Sequence, residues 1–206
     1  MTSKVWFITG VSKGFGRIWA EAALARGDRV VATARDATTL QPLVARYGDN
    51  VLPLALNVDS KTAVDAAVAE AIARFGRIDV AVNNAGYGQF GTIEEVSEAE
   101  ARDQMETNFF GALWVTQAVL PQMRSQGSGH IIQVSSIGGV NAFPAIGLYH
   151  ASKWALEGFS QALAQEVAGF GIKVTIVEPA GYATDWSGPS AKRAAPIAAY
   201  DEVRAA

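Results

Sequence analysis

The chain alternates short apolar runs, rich in β-branched residues, with longer stretches of helical period. Val5-Trp6-Phe7-Ile8-Thr9 reads as a strand apolar on both faces, and Phe15 to Arg26 as a helix stopped by Gly27. Arg29 to Ala34 and Val51 to Leu56 predict a second and a third strand. Lys61 to Phe75 sets Val64, Val68, Ile72 and Phe75 on one helical face, with Asp59 or Ser60 as N-cap and Gly76 as terminator. Val80 to Val82 predicts a fourth strand. Ser97-Glu98-Ala99-Glu100 fits a capping box that opens a long helix toward Met123. His130 to Val134 reads as a fifth strand, about Tyr149 to Val167 as a helix, and Lys173 to Val177 as a sixth strand. Apolar strands alternating with helices predict a doubly wound parallel sheet, a Rossmann-type three-layer α/β/α fold in a single domain. The tail after Gly181 is richer in Ala, Ser and Pro and shows no clear strand.

Composition narrows the class. Half of the 206 residues are apolar and 18% are charged, as in ordinary globular domains and unlike disordered chains. A formal charge of −3, with Lys192-Arg193 as the only adjacent basic pair, gives no footprint for nucleic acid. There is no cysteine, and His130 and His150 are the only histidines, so no metal site is expected. No apolar run approaches the ~18 residues that span a bilayer. Met1 to Gly16 holds only the four-residue apolar stretch Val5 to Ile8, short of a signal peptide. The expectation is a cytoplasmic chain with no membrane partner.

Chemistry gathers at the predicted carboxyl ends of the strands, where open α/β sheets bind ligands. Gly10-Val11-Ser12-Lys13-Gly14-Phe15-Gly16 lies where the first strand turns into a helix. Glycines there let backbone N–H groups approach a pyrophosphate at the positive helix end. The spacing G-x-x-x-G-x-G differs from the G-x-G-x-x-G fingerprint and is no Walker loop; alone, it also fits a plain glycine turn. Asn83-Asn84-Ala85-Gly86 follows the fourth strand and Ser136 the fifth. Tyr149 and Lys153, four apart, share a helical face.

With these residues the chain resembles the short-chain dehydrogenase/reductase family over about residues 4 to 184. The likeness rests on Thr9, Gly10, Gly14 and Gly16 in the turn, Asn83 to Gly86, and Asn108 in the long helix. It continues through Ser136 with Tyr149 thirteen residues on and Lys153 four later, and through Pro179-Ala180-Gly181-Tyr182-Ala183-Thr184. A Tyr-x-x-x-Lys pair alone is commonly structural; the ordered set at matching strand ends is not. The resemblance implies NADP(H)-dependent interconversion of a carbonyl and an alcohol, with Asn108, Ser136, Tyr149 and Lys153 catalytic. A free phenol titrates near 10, and a neighbouring ammonium favours its ionised form. Lys153 would supply that charge and, by resemblance, bind the nicotinamide ribose. Ser136 would donate to the substrate oxygen, with Ser135 pointing the other way. Asn108 would hold a water in a proton relay, or simply bridge backbone.

The implied cofactor residues are Gly10, Ser12, Lys13, Gly14, Phe15, Gly16, Arg35, Asn57, Val58, Asn84, Ala85, Gly86, Tyr149, Lys153, Pro179 and Thr184. Where an NAD-preferring site wants an acid after the second strand stands Ala34, followed by Arg35. Arg35 and Lys13 could grip a 2′-phosphate, giving NADP preference with NAD possible; alternatively both are solvated, Arg35 beside Asp36. Asn57-Val58 stands where the family commonly has Asp-Val against adenine, and Ala180 replaces the first glycine of the Pro-Gly segment. His150 is read as packing or surface. Tyr87, Val140, Phe143, Pro144, Tyr182 and Trp186 suggest a hydrophobic substrate, and the Ala-Thr-Ala-Arg-Asp strand end resembles the hydroxysteroid and retinol dehydrogenase branch. The long helices carry Trp114, Trp154 and Phe159, and the family implies a homodimer or homotetramer; inward packing of these aromatics is the plain alternative. Residues 1–184 are expected to form the NAD(P)-binding catalytic domain and 185–206 an incomplete or mobile substrate-side tail. Only 22 residues follow Thr184, so the family's last strand and helix would be lacking and strand six would form an open edge; a cut, cleaved or naturally short chain are all left open. A nucleotide-binding sensor or scaffold without turnover, and a lyase or epimerase, are the rival functions.

Overall fold

The computed structural model describes residues 3–182, 186, 188 and 190–205. Six strands form one parallel sheet in the order β3-β2-β1-β4-β6-β7: β1 Val5–Ile8, β2 Arg29–Ala34, β3 Val51–Ala55, β4 Val80–Asn83, β6 Gly129–Val134 and β7 Ile172–Val177. The order reverses between β1 and β4, so both strands open onto one crevice at their carboxyl ends. Helices α1 Gly14–Ala25 and α2 Gln41–Tyr47 cover one face through Ala20, Leu24 and Leu43. Helices α3 Lys61–Phe75, α5 Gly111–Gln126 and α6 Gly147–Val167 cover the other through Val64, Val68, Val115, Met123 and Leu163. A strand sandwiched between two such layers has no polar face, which is why β1, Val30 to Ala32 of β2 and Val80 to Val82 of β4 read as unbroken apolar runs.

The local stop and start signals act as their chemistry dictates. Ser60 Oγ accepts from the Ala63 N–H, and Gly76 closes α3 in the left-handed conformation. Ser97 and Glu100 form the expected capping box at the head of α4 Glu98–Met105. The long helix is not uniform. It loosens into a π-turn at Glu106–Phe110 before α5, and the extra residue turns Asn108 inward, where it is fully buried.

The described part of the tail is more structured than its sequence suggests. Lys192–Arg193 forms β8, pairing in parallel with β5 Gln89–Phe90, and Asp201–Ala205 forms α7. A two-residue strand is too short to carry an alternating pattern. Buried Glu95 anchors this segment, accepting from the Ile197 N–H at 2.8 Å and pairing with Arg204.

Candidate active site

The turn after β1 is knitted to the end of β4. Thr9 Oγ1 accepts from the N–H groups of Asn84 and Ala85 at 2.9 and 3.0 Å. The Asn84 amide donates to the carbonyls of Thr9 and Gly10 at 2.9 and 3.1 Å. Gly10 and Gly14 have φ of 70° and 59°, a region that only glycine enters without strain. Gly16 is required for a different reason: a Cβ there would lie 2.6 Å from Asn84 Nδ2 and against the Gly10 backbone. Helix α1 begins at this turn with no acid in its first turn, leaving its positive end unopposed.

A groove of about 750 Å³ runs from this turn across the sheet edge. Gly10, Ser12, Lys13, Gly14, Phe15, Arg35, Asn57, Val58, Asn84, Ala85, Gly86, Ser136, Tyr149, Lys153 and Pro179 all line it. Gly16 lies buried beneath the turn, and Thr184 lies outside the described residues. At one end Ala34 is buried while Arg35 is exposed. Asp36 accepts instead from the Thr38 N–H and hydroxyl, which hold its carboxyl below the usual range. Asn57 accepts from the Asp59 N–H, and Val58 packs where a side chain at Gly111 would sit.

At the other end, Ser136 Oγ accepts from the Gly138 N–H at 3.0 Å, and its hydroxyl acts on the Tyr149 phenol, favouring the ionised form. Ser135 turns away into the interior, against Gly139 and Glu157. Tyr149 is buried, and burial pushes its phenol above the ordinary value; the Ser136 hydrogen bond pulls it the other way. Lys153, one turn along α6, donates from Nζ to the Val134 carbonyl at 2.7 Å and lies 5.8 Å from the centre of the Tyr149 ring. Burial brings its ammonium down to about 8, with Glu157 acting in the opposite sense. The expected downward pull of Lys153 is not among the effects acting on the phenol in this structure; burial of the ring dominates.

Asn108 bridges backbone, though not its own helix. Its amide donates to the Tyr87 carbonyl and Ser152 Oγ, and its carbonyl accepts from the Tyr87 N–H at 3.0 Å. It thereby fixes the chain that follows Gly86. His150 packs as expected, with Nδ1 facing the Gly138 carbonyl at 3.0 Å and Nε2 accepting from the Phe143 N–H at 3.3 Å. Those partners assign the proton to Nδ1. Pro179 accepts from the Ile137 N–H, tying the end of β7 to the loop after Ser136.

Tyr87, Phe143, Tyr182 and Trp186 reach the groove; Val140 and Pro144 do not line it. The Trp186 indole lies 4.8 Å from the Tyr149 ring and 5.6 Å from Phe90. Lys192 crosses the mouth to Tyr87 Oη and Asp103, both at 3.4 Å. Trp154 is exposed, whereas Trp114 and Phe159 pack in part against the core. Among the described residues no cluster of metal-binding side chains occurs, and no helix is long and apolar enough to cross a membrane.

Comparison with known proteins agrees with this architecture. The short chain dehydrogenase family model matches residues 4–195. The chain is 49% identical over 189 residues to oxidoreductase BOA17 of Botryotinia fuckeliana, covering 91% of this chain and 69% of that one. It is 42% identical to a 3-ketodihydrosphingosine reductase of Bacteroides thetaiotaomicron, covering 91% and 67%. The chain thus spans about two thirds of the length of these relatives. A short-chain dehydrogenase structure from Streptomyces avermitilis superposes with a TM-score of 0.93 at 46% identity, over 98% of this chain and 75% of that one. ElxO with NADP bound has a TM-score of 0.85 at 30% identity, covering 89% and 76%. A Burkholderia phymatum homologue in complex with NAD has 0.86 at 28%, covering 90% and 68%. The chain belongs to the short-chain dehydrogenase family, and it is an oxidoreductase of that type.

Proposed function

We propose that the protein is an NADP(H)-dependent oxidoreductase that interconverts a carbonyl and an alcohol on a small hydrophobic substrate, with Tyr149 as general acid and base. The observation that carries this reading is the meeting of Ser136, Tyr149 and Lys153 on one wall of a groove that begins at a glycine turn and helix N-terminus. The groove fits a dinucleotide: Gly16 leaves no side chain beneath the turn, α1 presents an unopposed positive end, and Arg35 stands beyond a buried Ala34. Residues 1–184 form the cofactor-binding and catalytic unit in this reading, and the tail beyond them walls the substrate side.

The bound nicotinamide supplies or accepts the hydride; the chain handles the proton. In the reducing direction, Ser136 donates its hydroxyl to the substrate oxygen, while the Gly138 N–H occupies one of its acceptor sites. Tyr149 delivers the proton to that oxygen. Lys153 stabilises the phenolate left behind and uses a remaining N–H on the nicotinamide ribose. Asn108, already committed to Tyr87 and Ser152, keeps the wall beside Gly86 in place. Arg35 and Lys13 take the 2′-phosphate of NADP, the guanidinium by paired hydrogen bonds and the ammonium as a point charge.

The aromatic wall of Tyr87, Phe143 and Trp186 and the likeness to a ketosphingosine reductase support a hydrophobic carbonyl substrate. The faces of α5 and α6, where Trp154 is exposed, are the proposed contact of a homodimer or homotetramer, which light scattering at micromolar concentration tests. Incubation with NADPH and a panel of ketones, aldehydes and quinones, followed by absorbance, tests the activity. Oxidation of NADPH with at least one carbonyl is expected. Tight NADPH binding by calorimetry with no turnover across the panel favours a nucleotide-binding sensor instead.

A further inference from the structure

A buried acid takes no part in the chemistry just described. Glu157 lies one turn beyond Lys153, so Tyr149, Lys153 and Glu157 follow one another along the same face of α6. Glu157 is only 5% exposed, and its Oε1 has no hydrogen-bond partner among the described residues. The same holds for the hydroxyl of Ser135, which is 3% exposed. Both oxygens converge on Gly139, where a Cβ would sit 2.5 Å from Ser135 Oγ and 3.0 Å from Glu157 Oε1. The absence of a side chain at Gly139 leaves room for both.

Lys153 presents the complementary problem. Its ammonium is buried, and its hydrogen bond runs to a neutral carbonyl, that of Val134. A buried charge that lacks a counter-charge is discharged by a shift in its own titration. We propose that Glu157 is a positioning residue for proton transfer: lodged beside Ser135 against Gly139, its carboxylate is the counter-charge that keeps Lys153 an ammonium.

The direction of the effects on Lys153 agrees, since burial drives the ammonium down to about 8 and Glu157 opposes it. Among the described residues, the titratable groups beside Lys153 on its helix face are Tyr149, whose ring centre lies 5.8 Å from Nζ, and Glu157 one turn on, whose charge acts on the ammonium. The end of β6 presents the Val134 carbonyl, and the segment after β4 presents backbone at Gly86, with the uncharged Asn108 amide behind it. Remove the acid, and burial acts on the lysine unopposed.

This inference rests on the role proposed for Lys153 beside Tyr149, but its test needs no turnover. Titration of the Lys153 side-chain nitrogen by NMR, in the cofactor-free protein, reads the ammonium directly. Glu157→Gln keeps the shape and removes the charge, and it is expected to lower the midpoint by about one unit, a tenfold loss of proton affinity. Glu157→Asp should fall between the two. An unchanged midpoint in Glu157→Gln overturns the proposal, because a merely structural glutamate is satisfied by the amide. Should Gln unfold the protein, Glu157→Asp carries the same readout with a smaller downward movement, and no movement there overturns it. An inactive Tyr149→Phe together with an unmoved Lys153 midpoint in Glu157→Gln defeats this inference alone. An active Tyr149→Phe defeats the proposed function and leaves the midpoint to be judged separately.

Discussion

Trp186 seats its indole on Tyr149, ring centre to ring centre 4.8 Å, so a residue of the tail covers the proposed proton donor. Its edge also fills the space that any side chain at Gly88 would need. A substrate carbonyl approaching Tyr149 must share this space with the indole. Trp186→Ala is therefore expected to raise kcat/KM for bulky hydrophobic carbonyls relative to small ones, by about tenfold. A parallel change for bulky and small substrates contradicts the indole's part in selection.

Two glycines of the first turn should respond differently to alanine. In Gly16→Ala the new methyl meets Asn84 Nδ2 at 2.6 Å, and Asn84 cannot retreat without releasing the carbonyls of Thr9 and Gly10. The expected cost is about 1–3 kcal/mol of stability together with loss of NADPH binding. Gly14→Ala enters open space and bears only the strain of φ 59°, about 1–2 kcal/mol. Thermal melts and calorimetry of both variants check the order. Equal binding defects would mean that crowding beneath the turn is unimportant.

Cofactor choice is expected to turn on Arg35. Arg35→Ala should weaken NADPH by about 10- to 150-fold, the loss of roughly 1.5–3 kcal/mol of charge-assisted contact, and leave NADH nearly unchanged. Adding Ala34→Asp should widen the difference by setting a carboxylate against the phosphate. Dissociation constants for both cofactors decide it. If both fall together, Arg35 supports the loop rather than the phosphate.

Burial of Lys153 has a signature in stability. Its folded value, about 8, lies below the ordinary 10.5, so between these the unfolded chain binds more protons. Stability of wild type relative to Lys153→Met should then rise with pH across that window, by about 3 kcal/mol at most, and stay flat below it. Denaturant titrations of the pair at pH 7, 9 and about 10.5 measure the slope. A flat difference would mean that the ammonium is not buried.

Much of this was legible in the sequence wherever the determining contact is local. Ser60 and Gly76 bracket α3 as their types dictate, and the helical spacing alone sets Tyr149 and Lys153 on one face. Contacts between distant segments were not legible. Lys192 meets Tyr87 across 105 positions, and β5 and β8 are each two residues long. The π-turn at Asn108 follows from what the side chain reaches, Tyr87 and Ser152, rather than from any break in the helical pattern. The aromatic positions show the same limit. Phe143 and Trp186 line the groove while Val140 does not, and only the path of the loop decides which.

The central claim is that the Tyr149 hydroxyl carries the proton, and Tyr149→Phe tests it most directly. The phenyl ring keeps its contact with Trp186 and removes one oxygen. NADPH affinity by calorimetry should stay near the wild-type value, while kcat with any accepted carbonyl falls by about 10²-fold or more, the ordinary worth of general acid–base catalysis. Turnover above about 1% of wild type, with NADPH bound normally, would contradict the assignment.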